Sequence, residues 1–131
     1  MKFTSPLRRD VSHPSVIQRE SREIPGVQYT IRSVSLAQRI ELTKSVRELC
    51  LKHEFLKAGD AADHMESWLA DLLVRKLYLE WGLAEISGLR IDGKPATVEA
   101  LIAKGPESLS DEIIESIKSE LGLTEDERKN F

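Results

Sequence analysis

Two long stretches of helical periodicity, separated by only a few residues, constrain this chain more than any other feature. Ser35, with Gln38 three residues on, has the reciprocal capping arrangement that opens a helix. Behind it Leu36, Ile40, Thr43, Val46, Cys50 and His53 recur at spacings of three and four, which predicts one apolar stripe down a helix closing near Ala58-Gly59. Asp60 then reopens the pattern. Ala61, Met65, Trp68, Leu69, Leu72, Leu73, Leu77 and Trp81 keep the same spacing as far as Gly82. Two helices of this length with so short a connection can bury their stripes against each other only by folding back as an antiparallel hairpin.

The flanking segments add a smaller β component. Val27, Tyr29 and Ile31 alternate with Gln28, Thr30 and Arg32, the period of two expected of a short strand with one buried face. Between Leu83 and Pro95 the turn pairs Ser87-Gly88 and Asp92-Gly93 break up Leu83, Leu89 and Ile91, predicting a small β-hairpin or a pair of extended segments. Thr97 is placed to cap a short helix through Ala103, ended by Gly105-Pro106. Leu109, Ile113, Ile117 and Leu121 recur every four residues, the core row of a last amphipathic helix closed by Gly122 with Leu123 in the Schellman position. Thr124 and Glu127 form a further capping box. The expected fold is mainly α with a minor β part: an antiparallel helical hairpin, a short N-terminal strand, a small β-hairpin and a C-terminal amphipathic helix. Residues 1–25 show no sustained apolar period and two prolines, so they are expected to form a flexible arm before a domain over 26–123 and an acidic tail over 124–131.

The chain has 131 residues, enough for one core and short of two. Its net charge of −3 is unevenly spread. Five bases face three acids over residues 1–25, whereas eight acids face three bases over 107–131. A weakly basic start and an acidic end lack the clustered lysine and arginine that phosphate backbones attract, which argues against nucleic acid as a partner. No apolar run approaches the roughly 20 residues that span a bilayer, and no apolar stretch follows Met1-Lys2 as a secretory leader would require. The lone Cys50 suits a reducing compartment, and a cytoplasmic location is expected.

Candidate chemistry is thin. Cys50 and His53 lie three apart, a spacing at which thiolate and imidazole could share a metal or a proton, but two ligands fall short of the three or four a zinc site needs. The expectation is a core Cys50 and a boundary His53, with no metal and no cofactor. His64, beside Asp63 and Glu66, has no nucleophile to serve, and acids in a first helical turn are ordinary dipole complements. Asp92-Gly93-Lys94 has too few carboxylates for calcium and too few glycines for phosphate, leaving a turn. No catalytic residue is assigned, and the chain is expected to act by binding protein. Trp68 is expected to pack in the core; Leu77, Tyr78 and Trp81, together with Ile113 and Ile117 of the last helix, are the expected protein-binding residues, with the aromatic side chains as the main reason, because aromatics concentrate at interface hot spots. The tail ending at Phe131 reads as solvated.

With these residues in place the chain resembles the small tail assembly chaperones of long-tailed bacteriophages and prophages. The likeness lies in an order of elements: Tyr29-Thr30-Ile31-Arg32 running into Ser35-Leu36-Ala37-Gln38-Arg39-Ile40-Glu41-Leu42, then Tyr78-Leu79-Glu80-Trp81-Gly82, then Ile91-Asp92-Gly93-Lys94-Pro95, and a closing segment from Gly105-Pro106-Glu107 to Glu127-Arg128-Lys129-Asn130. It spans roughly residues 27–131 and leaves the first 25 unexplained. The resemblance implies a non-enzymatic helper in the host-cell cytoplasm that coats the tape-measure protein, keeps it soluble and recruits tail-tube protein, with self-association as a further mode. It also implies that a longer form can arise by frameshifting, for which Arg128-Lys129-Asn130 can be encoded by a slippery run. A regulatory or adaptor module and a structural tail component are the alternative expectations.

Overall fold

The computed structural model describes residues 10–55 and 60–122. Among them are four helices, a three-stranded antiparallel sheet and a two-stranded one, the expected mainly α fold with a minor β part.

Strand β1 (Val16–Glu20) pairs with β2 (Gln28–Arg32), which pairs in turn with β3 (Leu83–Ser87), so the middle strand is the one with the clean alternation. Tyr29 and Ile31 of β2 point into the core while Gln28 and Arg32 face out. Ile17 sits opposite Ile31, and Tyr29 opposite Ile86, so the apolar residues of the three strands meet on one face. A register shift between Thr30 and Ile31 brings Leu83 opposite Ile31. The expectation of a flexible arm over residues 1–25 is corrected here. Residues 16–20 are an edge strand, and Ser21 N–H donates to Val27 O at 2.8 Å to begin the return; residues 1–9 lie outside the described part of the chain.

Helix α1 (Leu36–Phe55) opens with the anticipated capping box: Gln38 N–H donates to Ser35 Oγ at 3.2 Å, and Ser35 N–H to Gln38 Oε1 at 3.0 Å. Its buried row, however, is Leu42, Val46, Leu49 and His53, while Leu36, Ile40, Thr43 and Cys50 of the expected stripe face outward. Both rows obey the same spacing. The row holding Leu42 and Leu49 can remove more apolar area from water than one holding Thr43 and Cys50, so it takes the inner side. Helix α2 (Asp60–Gly82) returns alongside α1, giving the expected hairpin; the proposed closure of α1 at Ala58-Gly59 lies outside the described residues.

After β3, strands β4 (Arg90–Ile91) and β5 (Lys94–Pro95) form a minimal hairpin around Asp92 and Gly93, whose φ angles of 54° and 77° are the pair a type I′ turn uses. The hairpin expected over Leu83–Pro95 is thus confined to its second half, because Leu83–Ser87 finds a longer partner in β2. Thr97 caps α3 (Val98–Lys104) by accepting from Ala100 N–H at 3.1 Å. Helix α4 (Glu107–Glu120) lays Leu109, Ile113 and Ile117, with Leu121 after it, into the core at 0–2% exposure. The second capping box at Thr124 and the tail lie outside the described residues.

Helix α4 is the keystone between the sheet and the hairpin. Arg75 of α2 is paired with Glu107 and Asp111 at its start, Arg39 of α1 donates to Leu121 O at its end, and Gly82 approaches Ile117 so closely that a Cβ there would lie 2.8 Å from its Cδ1. On its sheet side, Glu112 gathers the β1–β2 connection: Ser21 Oγ donates to it at 2.7 Å, Arg22 N–H at 2.9 Å and Glu23 N–H at 3.1 Å. Burial would raise the Glu112 carboxyl, but these donors and the Arg22 charge outweigh it and hold the group below the usual carboxylate range.

Candidate docking surface

The residues expected to bind protein are largely interior. Tyr78, Ile113 and Ile117 are buried, and Leu77 and Trp81 are half-buried against the same cluster. Tyr78 is deep enough that burial pushes its hydroxyl up to about 12, and Lys118 Nζ sits 5.5 Å from its ring centre. Helical spacing identifies an apolar row but not which row meets solvent, and here the row around Tyr78 is the one that α4 covers.

The exposed apolar side chains lie earlier on α2. Met65 is 62% exposed, Trp68 60% and Leu69 44%, which reverses the expectation of a core Trp68. Their spacing puts them on one face together with Leu72. One turn further on that face becomes interior: Leu72, Arg75 and Leu79 line a groove against Leu101 and Ile102 of α3 and Ile114 of α4. The face is therefore a single apolar strip along α2, covered by α3 and α4 in its second half and left bare in its first. Leu36, Ile40 and Leu51 of α1 are further exposed apolar side chains.

Across the hairpin from that bare face, His53 Nδ1 lies 2.7 Å from Glu66 Oε2, a cross-link between α1 and α2 around which Cys50, Glu54, Asp71 and Val74 line an open hollow. Cys50 is exposed and His53 buried, the reverse of the expected core and boundary positions. His53 is buried because Glu66 on the facing helix supplies a partner for its ring nitrogen, a pairing that spans the connection and has no local spacing signal. His64 is exposed. Among the described residues no three His, Cys, Asp or Glu side chains converge to hold a metal ion, and no helix is long and apolar enough to cross a membrane. Asp92 is ion-paired with Lys104 at 3.1 Å, beside the turn it helps to form.

The fold and this surface describe a small α-rich protein that presents an apolar face on the first half of α2. No protein-family model, curated protein or solved structure matches the chain.

Proposed function

We propose that the chain is a tail assembly chaperone of a long-tailed bacteriophage or prophage, a non-enzymatic protein that holds the tape-measure protein in soluble form in the host cytoplasm and helps bring tail-tube subunits to it. The order of elements over residues 27–131 supports the family reading, and the bare face formed by Met65, Trp68 and Leu69 carries the functional one. A helical client laid along α2 would continue the packing that α3 and α4 begin at Leu72.

Magnitudes fit a transient role. Covering three partly exposed apolar side chains yields a few kcal/mol, at about 1.5–3 kcal/mol for each fully buried one. Association costs at least about 4 kcal/mol in lost freedom. A single copy therefore holds its client weakly and exchanges readily, as a protein that must leave the finished tail requires.

Co-expression with the tape-measure protein tests this reading. A soluble complex with several copies of this chain per client, from a client insoluble alone, is the expected outcome. A client that stays insoluble, or a chain retained as a component of purified tails, contradicts it.

A further inference from the structure

The outer side of α1 carries a second exposed row. Leu36, Ile40, Lys44, Arg47 and Leu51 recur at spacings of three and four on the side turned away from Leu42, Val46, Leu49 and His53. All five are exposed, and Lys44 and Arg47, between the apolar ends of the row, make no ion pair among the described residues. The last described residue comes out beside this row. Arg39, one position before Ile40, donates to Leu121 O, and a Cβ at Gly122 would lie 3.7 Å from Arg39 Nη2. Gly122 has a φ of 72°, so the chain turns there rather than continuing along α4. Residues 123–131 follow, with Glu125, Asp126 and Glu127 in succession between Leu123 and Phe131.

We infer that residues 123–131 dock over the outer face of α1, with Glu125, Asp126 and Glu127 against Lys44 and Arg47 and with Leu123 and Phe131 on the exposed apolar side chains at either end. The reach matches. At about 1.5 Å per residue, Lys44 and Arg47 lie roughly 8 and 12 Å along α1 from Arg39. At about 3.3 Å per extended residue, the three acids lie roughly 10–17 Å of chain beyond Gly122. Charge selects this occupant over others. A second copy set on this face by a two-fold axis centred on the row would bring Lys44 and Arg47 up against themselves. An anionic lipid surface is broad and would press on Glu41 and Glu48, which flank the row, as well as on the bases. A short acidic segment tethered beside Arg39 touches the row alone and is held there at high effective concentration. The cover concerns α1, so it is independent of a client on α2, whose bare face it leaves open.

The test treats the full chain with a carbodiimide, which joins an amine to a carboxylate it touches, and maps the products by mass spectrometry on a mixture of unlabelled and nitrogen-15-labelled chains. Links from Lys44 to Glu125, Asp126 or Glu127 within one chain are expected. Their yield should fall as salt is raised, which screens exposed charges, and fall several-fold in Arg47→Glu, which keeps the reacting amine and removes half of the attraction. Lys44→Glu with Arg47→Glu should abolish the link. Adding Glu125→Lys, Asp126→Lys and Glu127→Lys to that pair should restore one between position 44 and positions 125–127. Thermal unfolding should stay unchanged throughout, since all the substituted positions of α1 are exposed. Three results overturn the inference: no link at Lys44 within one chain, a yield indifferent to Arg47→Glu, or a charge exchange that fails to restore the link. Links only between chains of different label would assign the face to a second copy. Absence of the link together with phosphatidylserine-vesicle binding that is lost on Lys44→Glu with Arg47→Glu would assign it to lipid.

Discussion

At the scale of single residues, the structure separates side chains that hold the fold from those available to a partner. Ile117 is fully buried and touches the close approach at Gly82, so Ile117→Ala should cost about 2–5 kcal/mol, whereas Trp68→Ala should stay within about 0.5 kcal/mol of the parent, both read by chemical denaturation. A large loss on Trp68→Ala would mean that its ring is part of the core. Glu112 accepts from Ser21 Oγ and from the backbone N–H groups of Arg22 and Glu23. Removing its charge with Glu112→Gln should cost about 1–3 kcal/mol, because hydrogen bonds to a charged acceptor are worth that much and two backbone donors lose it. The sign of its pH dependence follows from its depressed folded value. The stabilisation is present above the ordinary carboxylate range and is lost as pH falls through the folded value, so wild type should lose stability on acidification and Glu112→Gln should lose less. Parallel pH profiles would remove Glu112 from the account.

At the scale of elements, what was legible in the sequence is what short-range chemistry determines. The Ser35–Gln38 box, the Thr97 cap, the Asp92-Gly93 turn and the α4 row Leu109-Ile113-Ile117-Leu121 all rest on residues within four positions of each other, and all are found. Strand β1 was not legible, because it is an edge strand with only Ile17 half-buried and is held by pairing to β2 and by Glu112 some 90 residues away in sequence. The inner face of α1 was ambiguous because two rows share one period, and only the facing helix selects between them. The same ambiguity misplaced the binding residues: Tyr78, Ile113 and Ile117 have the composition of a hot spot but sit where α2 and α4 meet. Gly82 marks that meeting. Gly82→Ala should destabilise by about 1–3 kcal/mol through overlap with a buried Ile117 that has no free direction to move, as thermal unfolding would register. At the other end of the hairpin, Glu66→Ala leaves the buried His53 nitrogen without its partner and should cost about 1–3 kcal/mol, loosening the α1–α2 contact rather than the sheet.

At the scale of the whole molecule, the two halves of α2 differ in what covers them. The sheet, α3, α4, the second half of α2 and Leu42 and Val46 of α1 share one core, whereas the first half of α2 turns one side to α1 and presents Met65, Trp68 and Leu69 to solvent. Helix segments with few buried contacts open locally at lower free energy than the body they project from, so this half-hairpin is the part best able to adjust to a client and to release it. The most direct test is amide hydrogen exchange of the full chain, alone and in its complex with the tape-measure protein. Slowed exchange over residues 63–74 of α2 is expected, with the β1–β2–β3 sheet unchanged. Slowing confined to the sheet, or none anywhere in a complex that does form, would contradict the claim that the bare face of α2 is where this protein works.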